Sequence, residues 1–146
     1  MPKVYKTAAT LRFHGDDLDP IDLSRALGTE PTLGAKKGGV IILPKGREIV
    51  AKSGMWHLKT DDVTPGDIDS QIAALFSGLS NDLAQWRDYA DRYDGNIFVG
   101  IFLSQLNEGL SISSETLSAI GARGLELGLD IYGHHDRGDG SGVESL

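Results

Sequence analysis

Five polar side chains fall where an alternating pattern turns them away from a core: Arg12, His14, His57, Asp130 and Tyr132. A guanidinium, two imidazoles, a carboxylate and a phenol on one sheet face can hold an anion or move a proton, if the strands carrying them are neighbours. The alternation is clean in three segments. Thr10, Arg12 and His14 interleave with Ala9, Leu11 and Phe13; Met55, His57 and Lys59 interleave with Trp56 and Leu58. Near the end, Glu126, Gly128, Asp130 and Tyr132 interleave with Leu125, Leu127, Leu129 and Ile131. A period of two places each set on opposite faces of a strand. Aspartate is depleted in strands, so Asp130 is expected to have a partner among Arg12, His14, His57 or a backbone N–H. A solvated sheet face or a dimer interface is the preferred explanation of the five, and no catalytic role is assigned to any of them.

Other candidates carry less. His134-His135-Asp136 combines imidazole and carboxylate, a normal zinc set, but adjacent residues on an extended segment point opposite ways and no spaced second pair exists. No metal and no cofactor are expected. Gly34 to Gly39 lacks the Gly-Lys-Ser or Gly-Lys-Thr of a phosphate loop and reads as a surface loop, although its lysines and amides suit an anion. No serine lies in a Gly-x-Ser-x-Gly elbow; Ser113 is a helix cap. Asp16-Asp17 and Asp61-Asp62 precede helices or turns, and Trp56 and Trp86 lie on apolar faces, where packing accounts for them.

The elements that would position these residues are legible in outline. Residues 7–14 form the first strand. Asp19 then caps a helix with Pro20 at its first position, Leu23, Ala26 and Leu27 as its apolar stripe, and Gly28 as its stop. Residues 30–39 read as a loop, 40–43 and 48–51 as short strands around the turn Pro44-Lys45-Gly46-Arg47, and 54–60 as another strand. Thr64-Pro65-Gly66-Asp67 opens a helical region carrying Ile68, Ile72, Leu75, Phe76 and Leu79. A break at Gly78 and Ser80-Asn81 divides it from Leu83, Trp86, Ala90 and Tyr93, giving two helices or one kinked helix ended by Asp94-Gly95. Ile97 to Leu103 is apolar on both faces apart from Gly100, which predicts a central strand covered on both sides. A helix capped by Ser113 and ended by Gly124, then the strand 125–132, complete the pattern. The class is α+β: a single mixed or antiparallel sheet with helices mainly on one face. A ferredoxin-like front is extended by a last helix and strand. Residues 1–133 are expected to form one domain, and 134–146 a Gly- and Asp-rich tail.

Several of these pieces also resemble a known family. Phe13-His14-Gly15, Leu18-Asp19-Pro20, Leu27-Gly28 and Glu30-Pro31-Thr32 match its opening; Lys37-Gly38, Gly54-Met55-Trp56 and Leu58 match its middle. Leu110-Ser111-Ile112-Ser113 and Leu129-Asp130-Ile131-Tyr132-Gly133 match its end. In these pieces the chain resembles domain-of-unknown-function family 4279 over most of residues 7–133. The resemblance implies a bacterial source and supplies no mechanism.

Composition narrows the partners. The 146 residues suffice for one domain that buries about two thirds of its unfolded surface. There is no cysteine, which excludes disulfides, thiolate metal sites and thiol nucleophiles. The formal charge of −7, from 21 acidic and 14 basic residues, is unsuited to nucleic acid or an anionic membrane. The opening Met1-Pro2-Lys3-Val4-Tyr5-Lys6 is strand-like, unlike a signal peptide, and no apolar run approaches membrane-spanning length, so a cytoplasmic location is expected. The leading functional expectation is a non-enzymatic binding or interaction module that uses the open sheet face as a homodimer. The alternatives are an immunity-type protein whose acidic surface neutralises a basic toxin, and an enzyme with its site at Arg12, His14, His57, Asp130 and Tyr132.

Overall fold

The computed structural model describes residues 4–133. The element order is β1 (Lys6–Gly15), α1 (Pro20–Leu27), β2 (Leu33–Ala35), β3 (Val40–Ile42), β4 (Glu48–Val50), β5 (Gly54–Lys59), α2 (Ile68–Ser77), α3 (Leu83–Arg92), β6 (Asp94–Phe102), α4 (Ser114–Ala122) and β7 (Glu126–Tyr132). Five strands form one mixed sheet in the order β2-β5-β1-β6-β7, and β3 pairs with β4 in a separate two-stranded sheet. The pairings are antiparallel except that of β7 beside β6. The α+β class is therefore the one the sequence implies. No helix among the described residues is long and apolar enough to cross a membrane.

β1 is central, and its alternation decides the layering. Ala9, Leu11 and Phe13 are fully buried and join Trp56 of β5, Ile97, Val99 and Ile101 of β6, and apolar residues of all four helices in one core. Aromatic rings fill its centre: Phe13 lies 6.4 Å from Trp56 and 6.3 Å from Trp86, and Phe76 meets Trp86 edge-on at 5.7 Å. Both indole N–H groups are satisfied, Trp56 donating to Ser24 Oγ at 3.1 Å and Trp86 to the Ser80 carbonyl at 2.8 Å, which lets these large rings be buried without a desolvation penalty. With the helices on this face, the opposite face of the sheet is open among the described residues.

Local signals set the helix ends. The Asp19 carboxylate accepts the Ile21 N–H at 3.0 Å, and Gly28 takes the left-handed conformation (φ 90°) that closes α1. Asp67, Asp82 and Ser113 cap α2, α3 and α4 in the same manner. The region from Asp67 to Tyr93 resolves into two helices, not one kinked helix.

Four sequence expectations need correction. Residues 33–35 lie in the predicted loop yet form the edge strand β2, pairing Leu33 with His57 and Ala35 with Met55. Three residues are too few to show a period, and the pairing is secured by β5 itself, where the Thr32 N–H donates to the His57 carbonyl. Asp94-Gly95, predicted to end a helix, instead begin β6. A Cβ on Gly95 would stand 2.7 Å from Phe13 Cε1, so the missing side chain lets the strand run beneath that ring. β6 is also not covered by helices on both sides: Phe98, Gly100 and Phe102 face the open side. Finally, the apolar face of β7 outruns the core, since Leu129 and Ile131 remain 47% and 58% exposed.

Candidate functional site

The open face takes alternate residues of each long strand: Thr10, Arg12 and His14 of β1, Met55, His57 and Lys59 of β5, Phe98, Gly100 and Phe102 of β6, and Gly128, Asp130 and Tyr132 of β7. Cross-strand register places Arg12 opposite His57 on one side and Asn96 on the other, and His14 opposite Met55 and Asp94. Leu33 of β2 lies beyond His57, and Thr10 stands between Lys59 and Phe98. The sequence-predicted residues do share this face, but they form two groups at different places on it.

The first group is Arg12, His14 and His57. The two imidazoles meet Nε2 to Nε2 at 2.8 Å, with rings perpendicular and centroids 4.8 Å apart. One Nε2 must carry a hydrogen and the other a lone pair, so the contact exists only while at least one ring is neutral. Burial is the main cause that pushes His57 down to about 4, with the positive charge of His14 and then of Arg12 adding to it. His14 is lowered by burial and by Arg12, with Asp94 opposing. Both rings are thus uncharged at neutral pH. Arg12 donates from Nε to Asn96 Oδ1 at 3.0 Å, and its guanidinium lies over the Phe98 ring at 4.1 Å. Burial disfavours its charge and Asp94 favours it.

Asp130 and Tyr132 form the second group. The Tyr132 hydroxyl donates to Asp130 Oδ2 at 2.7 Å, a contact between neighbours on the same face of one strand. Tyr132 also stacks on Phe102 at 4.6 Å, and Lys6 Nζ lies 4.3 Å from the centroid of that ring. The partner expected for Asp130 among Arg12, His14, His57 or a backbone N–H is therefore replaced by its own strand neighbour. The reason is lateral distance. β7 is three strand intervals from β5, about 14 Å at the usual spacing, so Asp130 cannot reach His57.

Between the groups the face is concave. A groove of about 710 Å³ is lined on one wall by Thr32, Leu33, His57 and Lys59, along its floor by Thr10, Arg12 and Phe98, and on the far wall by Leu129 and Asp130. Gly128, paired with Phe98, has no side chain to fill the space beside that ring. His57 and Asp130 thus share a groove without sharing a reaction centre. Thr32 and Leu33 could not be found from the sequence, because only the pairing of β2 with β5 brings them here. Phe98 was findable: the open phase of β6 is aromatic while its buried phase is aliphatic, a difference that marks two unlike environments.

The remaining motifs are accounted for by packing or surface pairing. Lys36 and Lys37 of the glycine-rich loop pair with Asp19 at 3.6 Å and Asp16 at 3.4 Å. Lys6 pairs with Asp62 at 3.8 Å, and Trp56 and Trp86 are fully buried. Among the described residues, no three His, Asp or Glu side chains gather into a group able to hold a metal. His134-His135-Asp136 lies outside the described residues.

The pieces that carry the family likeness also meet in space. Phe13-His14-Gly15 pairs residue for residue with Trp56, Met55 and Gly54. A Cβ on Gly54 would lie 2.5 Å from the Gly15 carbonyl and 2.7 Å from that of Leu18, so the close approach of these segments requires glycine there. No curated protein and no solved structure matches the chain. A family model does match it over residues 3–134, and the chain belongs to the family described as Domain of unknown function (DUF4279).

Proposed function

We propose that the protein is a non-enzymatic binding module and that the open face of its sheet is the recognition surface. The observation that carries this reading is the 710 Å³ groove on the helix-free face, into which Arg12, Lys59 and His57 project from adjacent strands. Small-molecule sites have this size and this mix of apolar walls and a few convergent polar groups. The same geometry speaks against proton-transfer catalysis. A general base works best with a pKa near the operating pH, whereas His57 is held down to about 4 and its Nε2 is engaged by His14. Asp130, the only carboxylate lining the groove among the described residues, is engaged by Tyr132. A fragment screen by ¹H–¹⁵N NMR tests the reading. Amide shifts are expected to cluster on β1, β5 and β6 at open-phase residues, and hits confined to the helical side would overturn it.

The homodimer finds its support elsewhere, at the outer edge of the sheet. β7 is an edge strand with Leu129 and Ile131 exposed, and Leu117 of α4 is 50% exposed. Edge strands with apolar neighbours are natural sites for pairing with a second chain. Light scattering across a concentration series checks this: Ile131→Lys should shift a dimer to monomer, and a monomer at high micromolar concentration rules the dimer out.

A further inference from the structure

We infer that the groove on the open face binds a small amphipathic monocarboxylate, its head held by Arg12 and Lys59 and its apolar body lying along Phe98 and Leu33. This rests on the reading of the open face as a binding surface and specifies what that surface takes.

The head site is pre-organised. Arg12 Nε is committed to Asn96 and its guanidinium plane lies on Phe98, so the side chain is fixed at two points. Its two Nη groups make no hydrogen bond among the described residues, and they form the planar fork that matches a carboxylate in bidentate fashion. Lys59 lines the same groove and likewise has no carboxylate within ion-pair distance among the described residues. Lys6, Lys36, Lys37 and Arg92 each have an aspartate partner; other cations such as Lys45 and Lys52 also lack one among the described residues, and what sets Arg12 and Lys59 apart is that they line one concavity. In a chain of net charge −7, two unpaired cations in one concavity mark a place arranged for an anion.

Charge and shape then select within the anions. Among the described residues the groove carries two cations and one carboxylate, Asp130, on the far wall, while the partly buried His14–His57 pair is uncharged at neutral pH. A net of one positive charge suits a monoanion better than a phosphate dianion. Apolar surface adjoins the cations on both sides, at Leu33 on the β2 wall and Phe98 on the floor, so a ligand that is all charge would leave much of the groove in contact with water.

The test uses the intact protein with three probes of equal chain length: octanoate, octan-1-ol and octyl phosphate. Titrations followed by ¹H–¹⁵N NMR should show octanoate shifting Thr10, Thr32, His57 and Phe98 and binding at least about tenfold more tightly than octanol. Arg12→Gln should remove at least about tenfold of the octanoate affinity and leave octanol unchanged. Lys59→Gln, on an exposed side chain with no hydrogen bond or ion pair among the described residues, should weaken octanoate by a few-fold and guards against a folding defect in the first variant. Octanol binding the groove as tightly as octanoate overturns the carboxylate while leaving the binding face standing. Tighter binding of octyl phosphate overturns the monoanion. Octanoate shifts outside the groove, or insensitive to both variants, overturn the site; the binding face itself falls only if the fragment screen also places its hits elsewhere.

Discussion

Acidification is expected to destabilise the protein through the His14–His57 contact before its carboxylates titrate. In the unfolded chain His57 takes up a proton near the ordinary 6.5; in the fold it resists until about 4. The unfolded state therefore binds more protons between these values, and stability must fall as pH drops from 6.5 toward 4 and then level off for this group. The separation is about 2.5 pH units, and at about 1.36 kcal/mol per unit the ceiling is roughly 3.4 kcal/mol, of which roughly 2 would be lost by about pH 5. The ring is only half-buried, so solvent screening reduces that loss to about 1 kcal/mol. His14 is shifted in the same direction and adds to the effect. Urea denaturation at about pH 7.5 and about pH 5 measures it, with His57→Gln as the reference that keeps the carboxylates but removes the titration. The wild type should lose about 1 kcal/mol more than the variant over this interval. Equal losses in both proteins, or a His57 NMR titration midpoint near 6.5, would refute the argument.

Three further outcomes follow from the packing. Ser24→Ala leaves the buried Trp56 indole N–H without its acceptor and should cost about 1–3 kcal/mol in denaturant unfolding, since no water-filled surface lies beside a fully buried ring. Gly54→Ala forces a methyl against two backbone carbonyls and should destabilise by about 1–3 kcal/mol or more, whereas Gly78→Ala, at φ −89° with the Leu75 carbonyl at an ordinary contact distance of 3.9 Å, should change stability by less than about 0.5 kcal/mol; similar melting curves for the two would contradict the close approach of Gly15 and Gly54. Asp69 accepts from the Thr116 hydroxyl at 2.6 Å and the Ser113 N–H at 3.0 Å, tying α2 to α4, and these bonds lower its pKa. Its contribution, below about 1 kcal/mol for a partly exposed group, should be present at neutral pH and disappear as pH falls through its depressed pKa. Asp69→Asn compared with wild type across acid pH measures it, and a difference that persists unchanged into strong acid would exclude this origin.

What the sequence determined by itself was the phase of each long strand and the ends of each helix. Alternation in residues 7–14, 54–60 and 125–132 assigned Arg12, His14, His57, Lys59, Asp130 and Tyr132 to the open face, because a period of two is a property of the chain alone. Asp19, Pro20 and Gly28 bounded α1 for an equally local reason: a cap acts within one turn. Lateral order is different in kind. Which strands lie side by side is decided by how the helices and the aromatic centre pack, so the separation of Asp130 from His57, and the replacement of a charged partner by Tyr132, could not be read from spacing. The same holds for β2, whose three residues have no period and become a strand only because β5 presents an unpaired edge. The open aromatic phase of β6 became the floor of a groove only when β1 laid Arg12 across Phe98. Periodicity selects a face, while the groove on that face exists only after five strands have taken their places.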